Sequence, residues 1–316
     1  MQTSADETRP GELMALVANA QAGALLGRTG DTLEEELRQL GRPLCVIPHE
    51  AGTLPERIAQ AAATGARMVV VAGGDGTIAC AATGLAGKGI VLGLIPSGTM
   101  NLLARDLRID PADRAAAVRV LHEGTARDID MGEVSSAGQE SHVFLCASML
   151  GTPARLSRHR EAGRHRGNGV LSWAMFGWAA LRALVQNRSM KLILRCNGQE
   201  LRRRTPSLTV TVNKLDDAAG RRFGRSLLDG GTLSVYLVRR GSVFAQAWLL
   251  LRTAISGNLH APEIEVIETT ELVVDCAGSA LHVLVDGELR LMPPPVRYRI
   301  RSRALRVMAP ACGAAS

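Results

Sequence analysis

One stretch constrains this chain more than any other: Val69-Val-Val-Ala-Gly73-Gly74-Asp75-Gly76-Thr77. The β-branched run Met68–Ala72 predicts a buried strand that enters a glycine turn directly, and a helix follows to about Leu85. Glycines remove the Cβ that would hold a ligand away from the backbone. The helix N-terminus then adds exposed N–H groups and a favourable dipole. Such a turn suits a phosphate, although it also serves as a tight structural connection. Asp75 would repel a phosphate, so it either holds a magnesium-bound water or orients the loop. No Walker A pattern and no G-x-G-x-x-G occurs, which sets aside the ordinary P-loop and Rossmann arrangements.

The same design recurs one strand later. Ile90–Ile95 predicts a strand, and Pro96-Ser97-Gly98-Thr99-Met100-Asn101 ends it. Two glycine turns at the carboxyl ends of consecutive parallel strands line one crevice, where open α/β sheets bind ligands. The surrounding segments fit that sheet. Leu13–Ala18 and Leu44–Ile47 read as strands, Asn19-Ala-Gln-Ala-Gly23 as a turn, and Thr32–Leu40 as a helix. Thr53-Leu-Pro-Glu56 carries a capping box that opens a helix to about Ala63, and Asp110-Pro111 opens another that Gly124 ends.

From about Arg127 short alternating runs replace this pattern: Val143–Ala147, Met190–Cys196, Leu208–Val212, Leu233–Val238, Glu271–Val274, Leu281–Val285 and Val296–Ile300. They predict an antiparallel β domain, a sandwich, with helices at Gly169–Gln186 and Val243–Ile255. The expected fold class is α/β: a parallel-sheet domain over residues 1–126, then a β-rich domain over 127–316 whose last strands pack back on the first. In Arg297-Tyr-Arg-Ile-Arg-Ser-Arg303 the alternation predicts one arginine face and an opposite face of Val296, Tyr298 and Ile300.

Composition narrows the partners. Aromatic residues make up 3% of the 316, too few for base-stacking platforms, so nucleic acid is not expected despite a net charge of +7. The excess is local, in Arg155–Arg166 and in the alternating arginines. Beside the first lies the apolar run Leu171–Val185 with Trp173, Phe176 and Trp178, a pairing suited to the interface of an anionic membrane. That run contains Arg182 and is shorter than a bilayer span. The six cysteines lack C-x-x-C spacing and read as reduced, buried thiols. With a polar Met1–Pro10 they predict a cytoplasmic protein. The oligomeric state stays open, a homo-oligomer included.

In four places the sequence resembles the diacylglycerol kinase catalytic-domain family, which includes bacterial lipid kinases and sphingosine kinases. Asn19-Ala-Gln-Ala-Gly23 looks like its first-strand turn, Gly73-Gly-Asp-Gly-Thr77 matches its hallmark, Pro96-Ser-Gly-Thr-Met-Asn101 its second nucleotide loop, and Asp286-Gly287-Glu288 its C-terminal acidic element. The resemblance implies a nucleotide domain joined to a β-sandwich, with ATP and Mg2+ as cofactors and a membrane lipid as acceptor. ATP would contact Asn19, Gly23, Gly73, Gly74, Asp75, Gly76, Thr77, Gly98, Thr99 and Asn101. Glu288 would be the general base, acting with Asp75, while Asp130 and Asp229 would serve the metal.

Each role has a plainer counterpart. Asp286-Gly287 is also a hairpin turn with an exposed Glu288 after it, and Asp130 a strand-end cap. The chain also departs from the family. Leu102 stands where an aspartate is common, the acidic metal turn reads Asp229-Gly230-Gly231, and Pro48 replaces a threonine expected near the adenosine. A soluble-substrate kinase of the NAD kinase type shares the Gly-Gly-Asp-Gly-Thr turn. A catalytically weak lipid- or nucleotide-binding protein is the reading from another class.

Overall fold

The computed structural model describes residues 12–19, 30–98, 100–152, 154, 189–216, 224–238, 264–278 and 280–311. The chain divides into two compact units, Met1–Met131 with Ser302–Ser316, and Gly132–Arg301.

The first unit contains β1 (Met14–Ala18), α1 (Gly30–Arg38), β2 (Leu44–Ile47), α2 (Leu54–Ala63), β3 (Met68–Gly73), α3 (Asp75–Leu85), β4 (Val91–Pro96), α4 (Leu102–Asp106) and α5 (Arg114–Glu123). Two further strands run on into the second unit, β5 (Thr125–Ser136) and β16 (Val296–Ala309). β1 lies between β2 and β3 and is parallel to both. β3 is parallel to β4, which is parallel in turn to Arg306–Val307 of β16. Val69, Val70 and Val71 are fully buried, as their β-branched run requires; each such side chain contributes about 1.5–3 kcal/mol. The chain turns to opposite sides of β1 on forming β2 and then β3. A ligand crevice is therefore expected beyond the carboxyl ends of β1 and β3.

Local chemistry sets the helix boundaries. At α2 the Glu56 carboxylate reaches back and accepts the Thr53 N–H at 2.7 Å and its hydroxyl at 2.9 Å, as the capping box predicts. The start of α5 differs from the expectation. Asp110 instead closes a turn, accepting the Ala112 N–H, while Asp113 caps the helix by accepting the Ala116 N–H at 2.9 Å. Proline is common at the first helical position, which is why Asp110-Pro111 reads as a helix start, but only Asp113 immediately precedes the first helical residue, Arg114.

The second unit is a sandwich of antiparallel sheets. One carries the strands β12 (Ile264–Thr269), β11 (Leu233–Val238), β10 (Ser207–Val212), β7 (Ala147–Gly151), β14 (Leu281–Val285) and β15 (Glu288–Met292) in that order. The other joins β16, β13 (Glu271–Cys276), β8 (Met190–Cys196) and β9 (Gln199–Thr205), while β5 also pairs with β6 (His142–Phe144). Both inner faces contribute to one core that includes Phe144, Leu194, Val210, Val235, Val283 and Tyr298. Val296 and Tyr298 are buried and Arg297 and Arg299 exposed, so the arginine alternation reads as expected. The predicted single strand Val143–Ala147 is two strands, β6 and β7, broken at Leu145–Cys146.

The predicted helices at Gly169–Gln186 and Val243–Ile255, and the basic stretch Arg155–Arg166, lie outside the described residues. No helix among the described residues is long and apolar enough to cross a membrane. None of the five described cysteines is in a disulfide; Cys196 is buried and the other four are half-exposed, so the expectation of buried thiols holds for Cys196 alone. Burial pushes the thiols of Cys196 and Cys276 up from their ordinary range.

Candidate active site

The two glycine turns are locked together at the carboxyl ends of β3 and β4. Strand pairing continues into the turns, where the Ser97 N–H donates to the Gly73 carbonyl at 3.0 Å. Gly74 and Gly98 then meet backbone to backbone. A Cβ added to Gly98 would stand 2.6 Å from the Gly74 Cα and 2.9 Å from Asn101 Oδ1. One on Gly73 would strike the Thr77 side chain at 2.5 Å. Close approach is thus what these glycines provide.

Asp75 and Asn101 hold the second turn in place. Asp75 Oδ2 accepts the Asn101 N–H at 2.9 Å, and Oδ1 accepts the Leu102 N–H at 2.7 Å. Of the two readings of Asp75, loop orientation is the one with contacts, and each oxygen keeps a second lone pair for another donor. Asn101 is buried, with a left-handed φ of 49° that asparagine tolerates better than most residues. Its side chain clamps Gly98 from both sides, accepting from the N–H at 2.9 Å and donating to the carbonyl at 2.7 Å. Beyond β1, Asn19 Nδ2 donates to Thr77 Oγ1 at 3.0 Å, tying the first strand's end to the first turn of α3. The N–H groups of Asp75, Gly76 and Thr77 open that helix and have no intrahelical acceptor. Ser97 Oγ, next to Gly98 in the chain, is buried and has no hydrogen-bond partner. Gly23 and Thr99 lie outside the described residues.

Sequence reasoning missed Arg57. Its Nη2 donates to the carbonyls of Ala18 at 2.7 Å and Ile47 at 3.2 Å, bracing the ends of β1 and β2. Desolvation pulls its pKa down. A cation inside an otherwise ordinary helix leaves no pattern that distinguishes it from a surface arginine.

A Gly98→Ala protein is expected to lose about 1–3 kcal/mol of stability in the first unit, because the added methyl must separate two backbones. Calorimetry with and without an ATP analogue checks this. An unchanged unfolding temperature would show that the turns are not in the contact described.

The acidic element lies in the second unit. Asp286 and Gly287 both have positive φ, 43° and 93°, and form the two-residue turn between β14 and β15. The Asp286 side chain turns inward. Its carboxylate accepts three consecutive N–H groups, from Leu145 at 2.6 Å, Cys146 at 3.0 Å and Ala147 at 2.9 Å. Those bonds occupy the amides where the predicted strand breaks. Burial pushes the Asp286 carboxyl up, opposed by the three amides and the field of Arg225. Arg225 is itself buried and donates to the carbonyls of Leu145 at 2.7 Å and Val212 at 2.9 Å. Nothing in its local sequence marks it out. Glu288 follows the turn, exposed, with Oε2 2.7 Å from Arg290 Nη2. So the hairpin turn and the available carboxylate are both present.

The two metal candidates belong to different units. Asp130 is buried in β5, where Oδ1 accepts the Arg303 N–H at 2.8 Å. Asp229 is exposed and belongs to the second unit. Among the described residues no group of three or more His, Cys, Asp or Glu side chains could hold a metal ion alone. Mg2+ does not need one, since it usually keeps several waters and binds through one or two carboxylates plus substrate phosphates.

The sequence model of the family described as "Diacylglycerol kinase catalytic domain" matches residues 13–134, a span that includes both glycine turns. A protein of Pseudomonas fluorescens (strain Pf0-1) named "Probable lipid kinase YegS-like" is 38% identical over 282 residues, 87% of this chain and 87% of that protein. The chain belongs to the diacylglycerol kinase catalytic-domain family. A protein of Mycobacterium tuberculosis (strain ATCC 25618 / H37Rv) named "Diacylglycerol kinase" is 25% identical over 275 residues, 85% of each chain. A crystal structure of a diacylglycerol kinase from Bacillus anthracis str. Sterne superposes with a TM-score of 0.65 over 96% of this chain and 98% of that one. At 16% identity that likeness establishes the fold. Membership in this family implies a phosphotransferase that uses ATP.

Proposed function

We propose that this protein transfers the γ-phosphoryl group of ATP to the hydroxyl of a membrane lipid, with Mg2+ on the nucleotide and Glu288 as general base. The observation that carries the reading is the locked pair of glycine turns at the carboxyl ends of β3 and β4. It supplies close backbone approach together with the free N–H groups of a helix N-terminus, and phosphoryl transfer is mainly a matter of positioning and charge stabilisation.

Asn19, Thr77, Gly98 and Asn101 set the shape of the phosphate cradle, and Asp75 keeps its two halves in register. Mg2+, when bound, neutralises charge on the phosphates; Asp75 and Asp130 are the first-unit carboxylates suited to its waters. The exposed Glu288 accepts the lipid hydroxyl proton. As it does, the hydroxyl oxygen forms its bond to Pγ, and the bond from Pγ to the ADP oxygen breaks. The lipid acceptor is supported by the name of the Pseudomonas fluorescens relative, and the base by its place after the Asp286-Gly287 turn.

The test is transfer from radiolabelled ATP into mixed-lipid micelles, with Mg2+ and with a chelator. The expected result is a labelled product that partitions into organic solvent and requires Mg2+. Label appearing only in a water-soluble acceptor such as NAD would overturn the lipid reading in favour of the soluble-substrate kinase.

A further inference from the structure

The edge strand β15 reverses the pattern of the sheet it closes. In its register with β14, Leu281 faces Met292, Val283 faces Arg290, and Val285 faces Glu288. Cross-strand partners point to the same face, and Val283, Val285 and Met292 are all buried in the sandwich core. Glu288 and Arg290 therefore stand on the core side of the edge strand. Leu291, 55% exposed, points outward. Arg290 spans the two environments. Its Nη2 holds Glu288 Oε2 at 2.7 Å, while its Nε is buried and has no hydrogen-bond partner. His142 is close enough for both charges to act on it, and burial followed by Arg290 pulls its pKa below the ordinary histidine range.

We propose that Arg290 is a positioning residue for the acceptor half of the reaction, an inference that rests on Glu288 being the base. Through Nη2 it fixes the Glu288 carboxylate, and through the unpartnered Nε–H it binds an oxygen of the acceptor next to the hydroxyl being phosphorylated. A buried donor without an acceptor is costly, and an oxygen-bearing substrate supplies what the apolar surroundings of Val283 do not. One guanidinium then orients both the base and its target. The competing explanation is protection of an exposed sheet edge by inward-pointing charges. It gives Arg290 no kinetic role.

The experiment compares wild type with R290K, R290M and E288Q in the micelle assay, recording kcat, lipid KM and unfolding temperature. The Arg290–Glu288 pair is 37% and 60% exposed, so its loss should barely move the unfolding temperature. Expected for R290M is a fall in kcat of about tenfold to a hundredfold with a raised lipid KM, the scale of a misplaced reacting group. R290K should recover part of kcat, and added guanidinium ion should recover part of R290M but none of E288Q. If E288Q is inactive while R290M keeps wild-type kcat and KM, Arg290 is only an edge guard and the proposal is overturned. A fully active E288Q would remove the base itself, and the Arg290 role with it.

Discussion

Glu288→Gln is expected to abolish most phosphate transfer while leaving a folded protein that still binds ATP. The amide keeps the shape of the side chain but cannot take the acceptor's proton, and general base catalysis contributes about 10²–10⁴-fold. The fold should survive because the Glu288 side chain is 60% exposed, and its pair with Arg290 is worth about 0–1 kcal/mol. Nucleotide affinity should survive because the proposed ATP contacts belong to the turns after β1, β3 and β4. The measurement is kcat by labelled-product formation alongside ATP-analogue affinity by calorimetry. A variant retaining more than about a tenth of wild-type kcat contradicts the assignment of Glu288 as base. A variant that loses ATP binding as well would instead show that Glu288 reports on the nucleotide site.

Local chemistry made the first unit readable. Three β-branched residues in a row give a buried strand almost anywhere, so Val69–Val71 and the following glycines fall where expected. The meeting of Gly74 with Gly98 is also legible in outline, because two glycine turns after adjacent parallel strands have little else to do. The second unit resisted where side chains act against their own periodicity. β9, with Arg202, Arg203 and Arg204 in succession, hides its alternation in charge. Only the structure shows Arg203 turned away from its neighbours to form a fork with Glu265, at 2.8 Å from Nη2. β15 was obscured in the same way, since Glu288 and Arg290 occupy the core-side positions of the strand and Leu289 and Leu291 the outer ones. The break between β6 and β7 has no local cause at all. It is imposed by Asp286, about 140 residues further along the chain, and no window on the sequence around Leu145 could reveal it.

That distant aspartate is also where the second unit should be most vulnerable. Replacing Asp286 with Ala leaves the N–H groups of Leu145, Cys146 and Ala147 without their acceptor. It also removes a carboxylate whose charge acts on the buried Arg225. Each unsatisfied buried group costs about 1–3 kcal/mol, and removing one partner from a buried ionic arrangement costs about 3–5 kcal/mol. These losses overlap because they share one carboxylate, so the expected destabilisation is about 3–5 kcal/mol in total. For a unit of this size that lowers the unfolding temperature by roughly 10 °C. Asp286→Asn should lose less, because its Oδ1 still accepts, although the amide end offers donors where acceptors are needed. Differential scanning calorimetry of both variants decides the matter. If Ala and Asn were equally mild, within about 1 kcal/mol of wild type, water would be replacing the carboxylate at those three amides. The turn would then owe its place to the β14–β15 pairing alone.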